Sequence, residues 1–321
     1  MKILVSLVSV LLLMAVTTTK NSTVSSNYLQ SKNENSPLCN FFPANKLRFP
    51  IKNDGRQISR PQFRKILDAA ESVYKPIFQS LGAGRFYIAD RWNDDTVNAC
   101  ASIGAPCSKG SAAAGNSDRY VEIYGGLGRH PLMTAEGLML VICHEIGHHI
   151  GGYPRYEKNT SVMATEGQSD YFASAKCMRL IYSALTPKTN ENWAWANKNR
   201  IPQEVQKPCL NSFGNNVSAI YCMRSSLAGL SLAQVLGSLN GTDPRQLSFI
   251  LKDKSVVETT FESHPKAQCR LDTYAAGAAC TADPRIPFSA TNPNQGACVN
   301  KMAPGARPSC WYKDSTGLAA R

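Results

Sequence analysis

The chain has 321 residues, 43% of them hydrophobic, and carries a formal net charge of +12. That apolar content excludes a disordered or fibrous polypeptide and supports one main domain with a sizeable core. The positive charges are dispersed, with no run of Lys/Arg interleaved with aromatics, which argues against a specific nucleic-acid partner and suits only loose association with anionic envelope surfaces.

At the N-terminus Lys2 precedes an apolar run from Ile3 to Val16, followed by Thr17-Thr18-Thr19-Lys20. A short apolar run behind one positive charge reads as a secretory signal peptide over residues 1–20, too short for a comfortable membrane span. No later segment reads as long and apolar enough to cross a bilayer, so an exported chain, secreted or periplasmic, is expected. Residues 21–58 are polar, rich in Asn and Ser, and read as a linker or short pro-segment.

From Pro61 to Leu81 the apolar residues Phe63, Ile66, Leu67, Ala70, Val73, Tyr74 and Ile77 recur at helical spacing, and Gly82 stops the run. Arg85–Ala89 and Tyr120–Tyr124 read as short strands. The second is expected to pair with an extended substrate by strand addition. Leu132–Ile150 reads as a helix closed by Gly151, Gly152 and Pro154, and Thr165–Ala184 as another. Residues 185–217, with Pro, Asn and Trp, read as irregular. Helices are expected at 218–238 and 243–252, and Pro265 opens a last one to about Ala276. Residues 59–277 form the expected principal domain, with a Cys-containing extension at 278–321.

The chain has 11 cysteines. Export makes disulfides the default, and the odd count leaves at least one thiol over. Local spacing suggests Cys100–Cys107, Cys209–Cys222, Cys269–Cys280 and Cys298–Cys310, with Cys39–Cys177 as a long-range pair. Cys143 lies on an apolar helical stripe and is the expected unpaired, buried thiol.

The stretch "CHEIGHHIGG" at 143–152 carries the chemistry. Residues four apart on a helix share one face, so His144 and His148 can aim both imidazoles at one ion. Glu145 between them is placed to act as general base on a water activated by the metal. Met139, Ile142, Cys143, Ile146 and Ile150 fall on a different stripe, which is expected to face the core while the histidines face a cleft. Gly147 lets another chain or a substrate approach closely. A third ligand comes eighteen residues after His148, in "EGQSDYFA": Glu166 as ligand, with Asp170 hydrogen-bonding the outer nitrogen of a ligand His, or the two exchanged. His149 is rotated off the metal face. His130, before Pro131, reads as a surface residue.

These motifs resemble those of the gluzincin metallopeptidases, and most closely the CAAX prenyl protease/HtpX-type family. The likeness spans about 90–275 and rests on "VNACAS" at 97–102, "VEIYGGL" at 121–127, the metal-motif helix, "TEGQSDYFA" and "SHPKAQCR" at 263–270. The resemblance implies an α+β, mainly helical zincin-like fold with a small mixed sheet over the HExxH helix, here stapled by disulfides. It implies one catalytic Zn2+ on His144, His148 and Glu166. It also gives His264 a role in stabilising the oxyanion and Arg270 one in holding the cleft together. Members of that family are often membrane-embedded, so the substrate class does not carry over.

The expected activity is therefore that of a secreted zinc-dependent endopeptidase acting on a peptide or protein substrate. The competing expectation is a catalytically inactive or chaperone-like exported binding protein that kept a zincin scaffold.

Overall fold

The computed structural model describes residues 39–43, 45–52, 58–108, 117–156, 162–185, 187–197 and 199–314. The expected signal peptide and most of the polar segment after it lie outside the described residues. The fold is α+β, with helices gathered on and around a small mixed sheet.

The helix α1 (Arg60–Ser80) starts where Ser59 caps Gln62 and the Gln62 side chain returns to the Ser59 backbone, a reciprocal pairing that satisfies two of the free donors at a helix start. Its apolar stripe buries Phe63, Leu67, Ala70, Tyr74 and Phe78. Phe78 stacks flat on Phe86, centroids 4.2 Å apart, which seats α1 on the sheet. Each such buried ring contributes about 1.5–3 kcal/mol.

The sheet contains β1 (Cys39–Asn40), β2 (Phe86–Arg91), β3 (Ala99–Ile103) and β4 (Arg119–Tyr124), in the order β1-β3-β4-β2. β3 runs antiparallel to β4, and β2 parallel to it. The strand Tyr120–Tyr124 is thus central, with both edges hydrogen-bonded, and is not available for strand addition. The reason is local: β2 fills one side and "VNACAS" folds as β3 on the other.

A short turn of helix, α2 (Gly125–Gly128), leads to α3 (Ala135–Ile150), capped by the Thr134 hydroxyl accepting from Gly137 N–H at 3.0 Å. Every residue of α3 from Gly137 to Ile150 is buried. The expected division into a core face and an open cleft face is corrected: neighbouring elements enclose the helix on all sides. His130 is likewise buried rather than on the surface, accepting from Leu132 N–H at 3.2 Å and meeting the Phe49 ring at 5.0 Å.

The next helical run is continuous: α4 (Glu166–Phe172), a π segment (Ala173–Cys177) and α5 (Met178–Ala184). A Cβ on Gly147 would lie 2.9 Å from Ser169 Cα, so the close approach expected at Gly147 is made by α4 itself. The segment read as irregular holds α6 (Pro187–Asn197) and α7 (Gln203–Phe213). Proline near their starts and few apolar residues hid the helical period. α8 (Val217–Leu239) follows. By length and composition α8 could cross a membrane, contrary to expectation, but 72% of its apolar window is buried inside the protein. The helix expected at 243–252 is only one 3-10 turn, Pro244–Gln246, and the apolar residues Leu247, Phe249, Ile250 and Leu251 that follow it lie outside any helix. α9 (Ala267–Ala279) packs so tightly that a Cβ on Gly277 would lie 2.2 Å from Ser174 Oγ, and one on Gly229 of α8 would lie 2.6 Å from Tyr274 Cβ.

Among the described residues five disulfides form. Cys100–Cys107 and Cys209–Cys222 match the local expectation. The others do not: Cys143 pairs with Cys177, Cys269 with Cys310 and Cys280 with Cys298. Cys143 is neither free nor a lone core thiol. Its apolar stripe faces the helical run after Glu166, where Cys177 sits. Cys39 is left over by count. The chain after α9 folds back, so Cys310 returns to the start of that helix and Cys298 to its end. Trp311 is fully buried there, against Gly167.

Candidate metal centre

Helix geometry places His144 and His148 one turn apart on α3, with ring centroids 4.7 Å apart and planes nearly perpendicular. Each ring is oriented through its Nδ1. His144 Nδ1 donates to Asp170 Oδ1 at 2.7 Å, and His148 Nδ1 donates to the Ala164 carbonyl at 2.8 Å. Both Nε2 atoms are therefore left to point into the same space, the arrangement that a ligating histidine requires.

Glu166, the first residue of α4, completes the group. Its Oε2 lies 3.2 Å from His144 Nε2, and its Oε1 lies 3.5 Å from His148 Nε2. His144, His148 and Glu166 offer ligand atoms all within 4.8 Å of one another and can hold a metal ion. The fit is tested by two observations. Ligand atoms about 2.0–2.1 Å from a tetrahedral ion lie about 3.3 Å apart, which matches the His–Glu distances. In addition, His144 Nε2, His148 Nε2 and Glu166 Oε2 are buried with no hydrogen-bond partner among the described residues, a cost that an ion would remove. Two imidazoles and a carboxylate are the donor set of a first-row divalent ion.

The carboxylate of Asp170 is the hub of the supporting network. Arg270 of α9 donates to both its oxygens at 2.7 Å, and Tyr274 Oη donates to Oδ1 at 2.6 Å. Burial raises the Asp170 pKa, but Arg270 and then His144 more than reverse this and hold it below its usual value. Burial also opposes ionisation of Glu166, yet His148 and His144 keep its carboxyl well below the usual range. Burial lowers the His144 pKa, and Asp170 and Glu166 overcome it, leaving it raised to about 9. His148, for which burial prevails, is lowered to about 4.

Glu145 is fully buried and neither of its oxygens has a hydrogen-bond partner among the described residues. Burial first, and Glu166 among its neighbours, raise its pKa well above the usual value. His264 reaches the group from the segment before α9, with Nε2 3.5 Å from Glu166 Oε2. His149 does not take part: it points to the sheet and donates from Nε2 to the Tyr120 carbonyl at 3.0 Å.

The residues singled out from the sequence thus converge: His144, Glu145, His148, Glu166, Asp170, His264 and Arg270. Two tyrosines were not singled out. Tyr274 lies one helical turn after Arg270, a spacing that could have flagged it. Tyr156, whose hydroxyl donates to Glu166 Oε1 at 3.0 Å, comes from a loop without any pattern. A second group, Asp253 with Cys269 and Cys310, has both its cysteines tied in a disulfide. No family model, no curated protein and no solved structure matches the chain, so the meaning of the site rests on its own geometry.

Proposed function

We propose that the protein is an exported zinc-dependent endopeptidase that hydrolyses peptide bonds. One observation carries the reading: three buried ligand atoms from two helices converge and, like both oxygens of the buried Glu145 on the same turn, have no hydrogen-bond partner among the described residues. The motif likeness to gluzincin metallopeptidases of the CAAX prenyl protease/HtpX type supports it, and so does the mixed sheet beside α3.

A zinc ion held by His144, His148 and Glu166 would supply a water acidified toward a pKa of about 7 and a Lewis acid for the substrate carbonyl. Glu145, placed on the same turn, would take up a proton on its carboxylate and return it to the leaving amine. His264 donates from Nε2 to the carbonyl oxygen as charge develops on it. Arg270 acts one step removed, by holding Asp170 and through it the His144 ring.

Metal analysis of the purified protein, paired with peptide hydrolysis before and after chelation, tests the proposal. One zinc per chain and hydrolysis lost on chelation and restored by zinc are expected. Glu145→Gln should keep the zinc and lose turnover. Hydrolysis that survives full metal removal, or that is unchanged in Glu145→Gln, would overturn it.

A further inference from the structure

The metal group is closed to solvent by the chain itself. His144, Glu145 and His148 are fully buried, Glu166 is 1% exposed, and only His264 reaches the surface in part. An enzyme acting on peptides needs an open path to these atoms. The short segment 39–42 covers the His144 side, with Phe41 on the His144 ring and Asn40 on His264, while Tyr156 lies against His148 and Glu166.

The segment is seated as an extended peptide would be. β1 adds antiparallel to the outer edge of β3, with Cys39 opposite Ala101 and Asn40 opposite Cys100, and Phe41 N–H continues the ladder to the Ala99 carbonyl at 3.0 Å. The Asn98 side chain then grips the Phe42 backbone at both ends, accepting from its N–H at 3.0 Å and donating to its carbonyl at 3.2 Å. Such main-chain pairing binds a peptide with little regard to its side chains.

Its backbone also meets the groups to which the reaction assigns a role. The Asn40 carbonyl accepts from His264 Nε2 at 2.8 Å, the nitrogen that faces Glu166. The Phe41 carbonyl accepts from Arg270 at 3.3 Å. The Phe41 ring stands edge-on to His144 at 4.7 Å and lies under the Arg270 guanidinium at 4.4 Å. Phe41 and Phe42 are both fully buried.

Among the described residues the five disulfides all join cysteines from Cys100 onward. Segment 39–42 is joined to the body through exposed Lys46, Leu47 and Arg48. Among the described residues the segment is held by these hydrogen bonds and by the packing of its two rings.

We propose that residues 39–42 are an intramolecular inhibitor: a strap that fills the peptide cleft along β3 and keeps the enzyme latent until the connection after Phe42 is cut. The proposal rests on the endopeptidase reading for the meaning of the cleft, and it also names the ligand, an extended peptide running antiparallel to β3. A short tether gives the strap an effective concentration on the order of millimolar, so a free peptide at micromolar level does not displace it; once cut and diluted, the strap loses that advantage.

The test places a site for a sequence-specific protease between Lys46 and Leu47 of the full chain, loaded with zinc. Binding of a fluorescent peptide with the sequence of residues 38–45, and hydrolysis of casein, are followed before and after the cut. Peptide binding should tighten by about tenfold or more on cutting and removal of the released segment, with hydrolysis rising in parallel. Tighter binding without any hydrolysis would keep the strap and sink only the endopeptidase reading. Equal binding before and after the cut would overturn the strap. So would a cut segment that excess peptide cannot displace, or a protein that unfolds once it leaves, since either would make 39–42 permanent core.

Discussion

His144 Nδ1 lies 2.7 Å from Asp170 Oδ1, joining a metal-site histidine on α3 to a carboxylate one turn beyond Glu166 on α4. The same carboxylate takes both donors of the fully buried Arg270. Removing its charge leaves a guanidinium buried and unpaired. Asp170→Asn is therefore expected to destabilise the fold by about 3–5 kcal/mol and to weaken metal affinity by about 10–100-fold. Thermal denaturation and chelator competition measure the two effects. Wild-type metal affinity in the variant would remove Asp170 from the support of the site.

Gly147 stands between His144 and His148 on α3, and any Cβ there would lie 2.9 Å from Ser169 Cα and 3.0 Å from its carbonyl oxygen. Both are backbone atoms of α4, so the helices must part for a methyl group to enter. Gly147→Ala is expected to cost about 1–3 kcal/mol. It also carries Glu166 away from the imidazoles, so metal binding should weaken with it. Lost stability with intact metal binding would show that α4 shifts without moving Glu166.

The Cys143–Cys177 disulfide joins α3 to the end of the π segment across a sequence separation of 34, and the loop it closes contains His144, His148 and Glu166. Replacing both by Ala is expected to cost about 2–4 kcal/mol. Because the disulfide restrains the unfolded chain, the variant should still bind metal when folded. A melting curve with and without zinc distinguishes lost stability from a lost site.

His130 provides a pH dependence away from the metal. Burial lowers its pKa from 6.5 to about 4. Its Nδ1 accepts from Leu132 N–H, an acceptor that protonation abolishes. The unfolded chain takes up the proton first, so this contribution is complete above pH 6.5 and is lost as the pH falls toward 4. His130→Asn keeps an acceptor without the titration, and its melting temperature should fall less between pH 6.5 and 4 than that of the wild type. Identical slopes would mean that other groups govern acid unfolding.

Much of the centre was legible in the sequence because its parts are local. His144, Glu145 and His148 share one helical turn, and Glu166 and Asp170 share another, so spacing alone groups them. Amphipathic α1 was equally plain. α6 and α7 were not: α6 has no apolar stripe, and the short stripe of α7 is interrupted by Pro208, a residue that usually breaks a helix. Tyr156 could not be found because nothing in a loop sequence records which residue it will face.

The sequence by itself determined which side chains could bind an ion and how each pair is arranged, because helical periodicity fixes neighbours three and four residues apart. Only the tertiary structure decided the rest: that Cys143 meets Cys177, that Tyr120–Tyr124 is an inner strand, and that Asn40 and Phe41 lie against His264 and Arg270. Those pairs are separated by 34 to more than 200 residues. Chain closure over such distances depends on how whole faces pack, and no local pattern of residues carries that information.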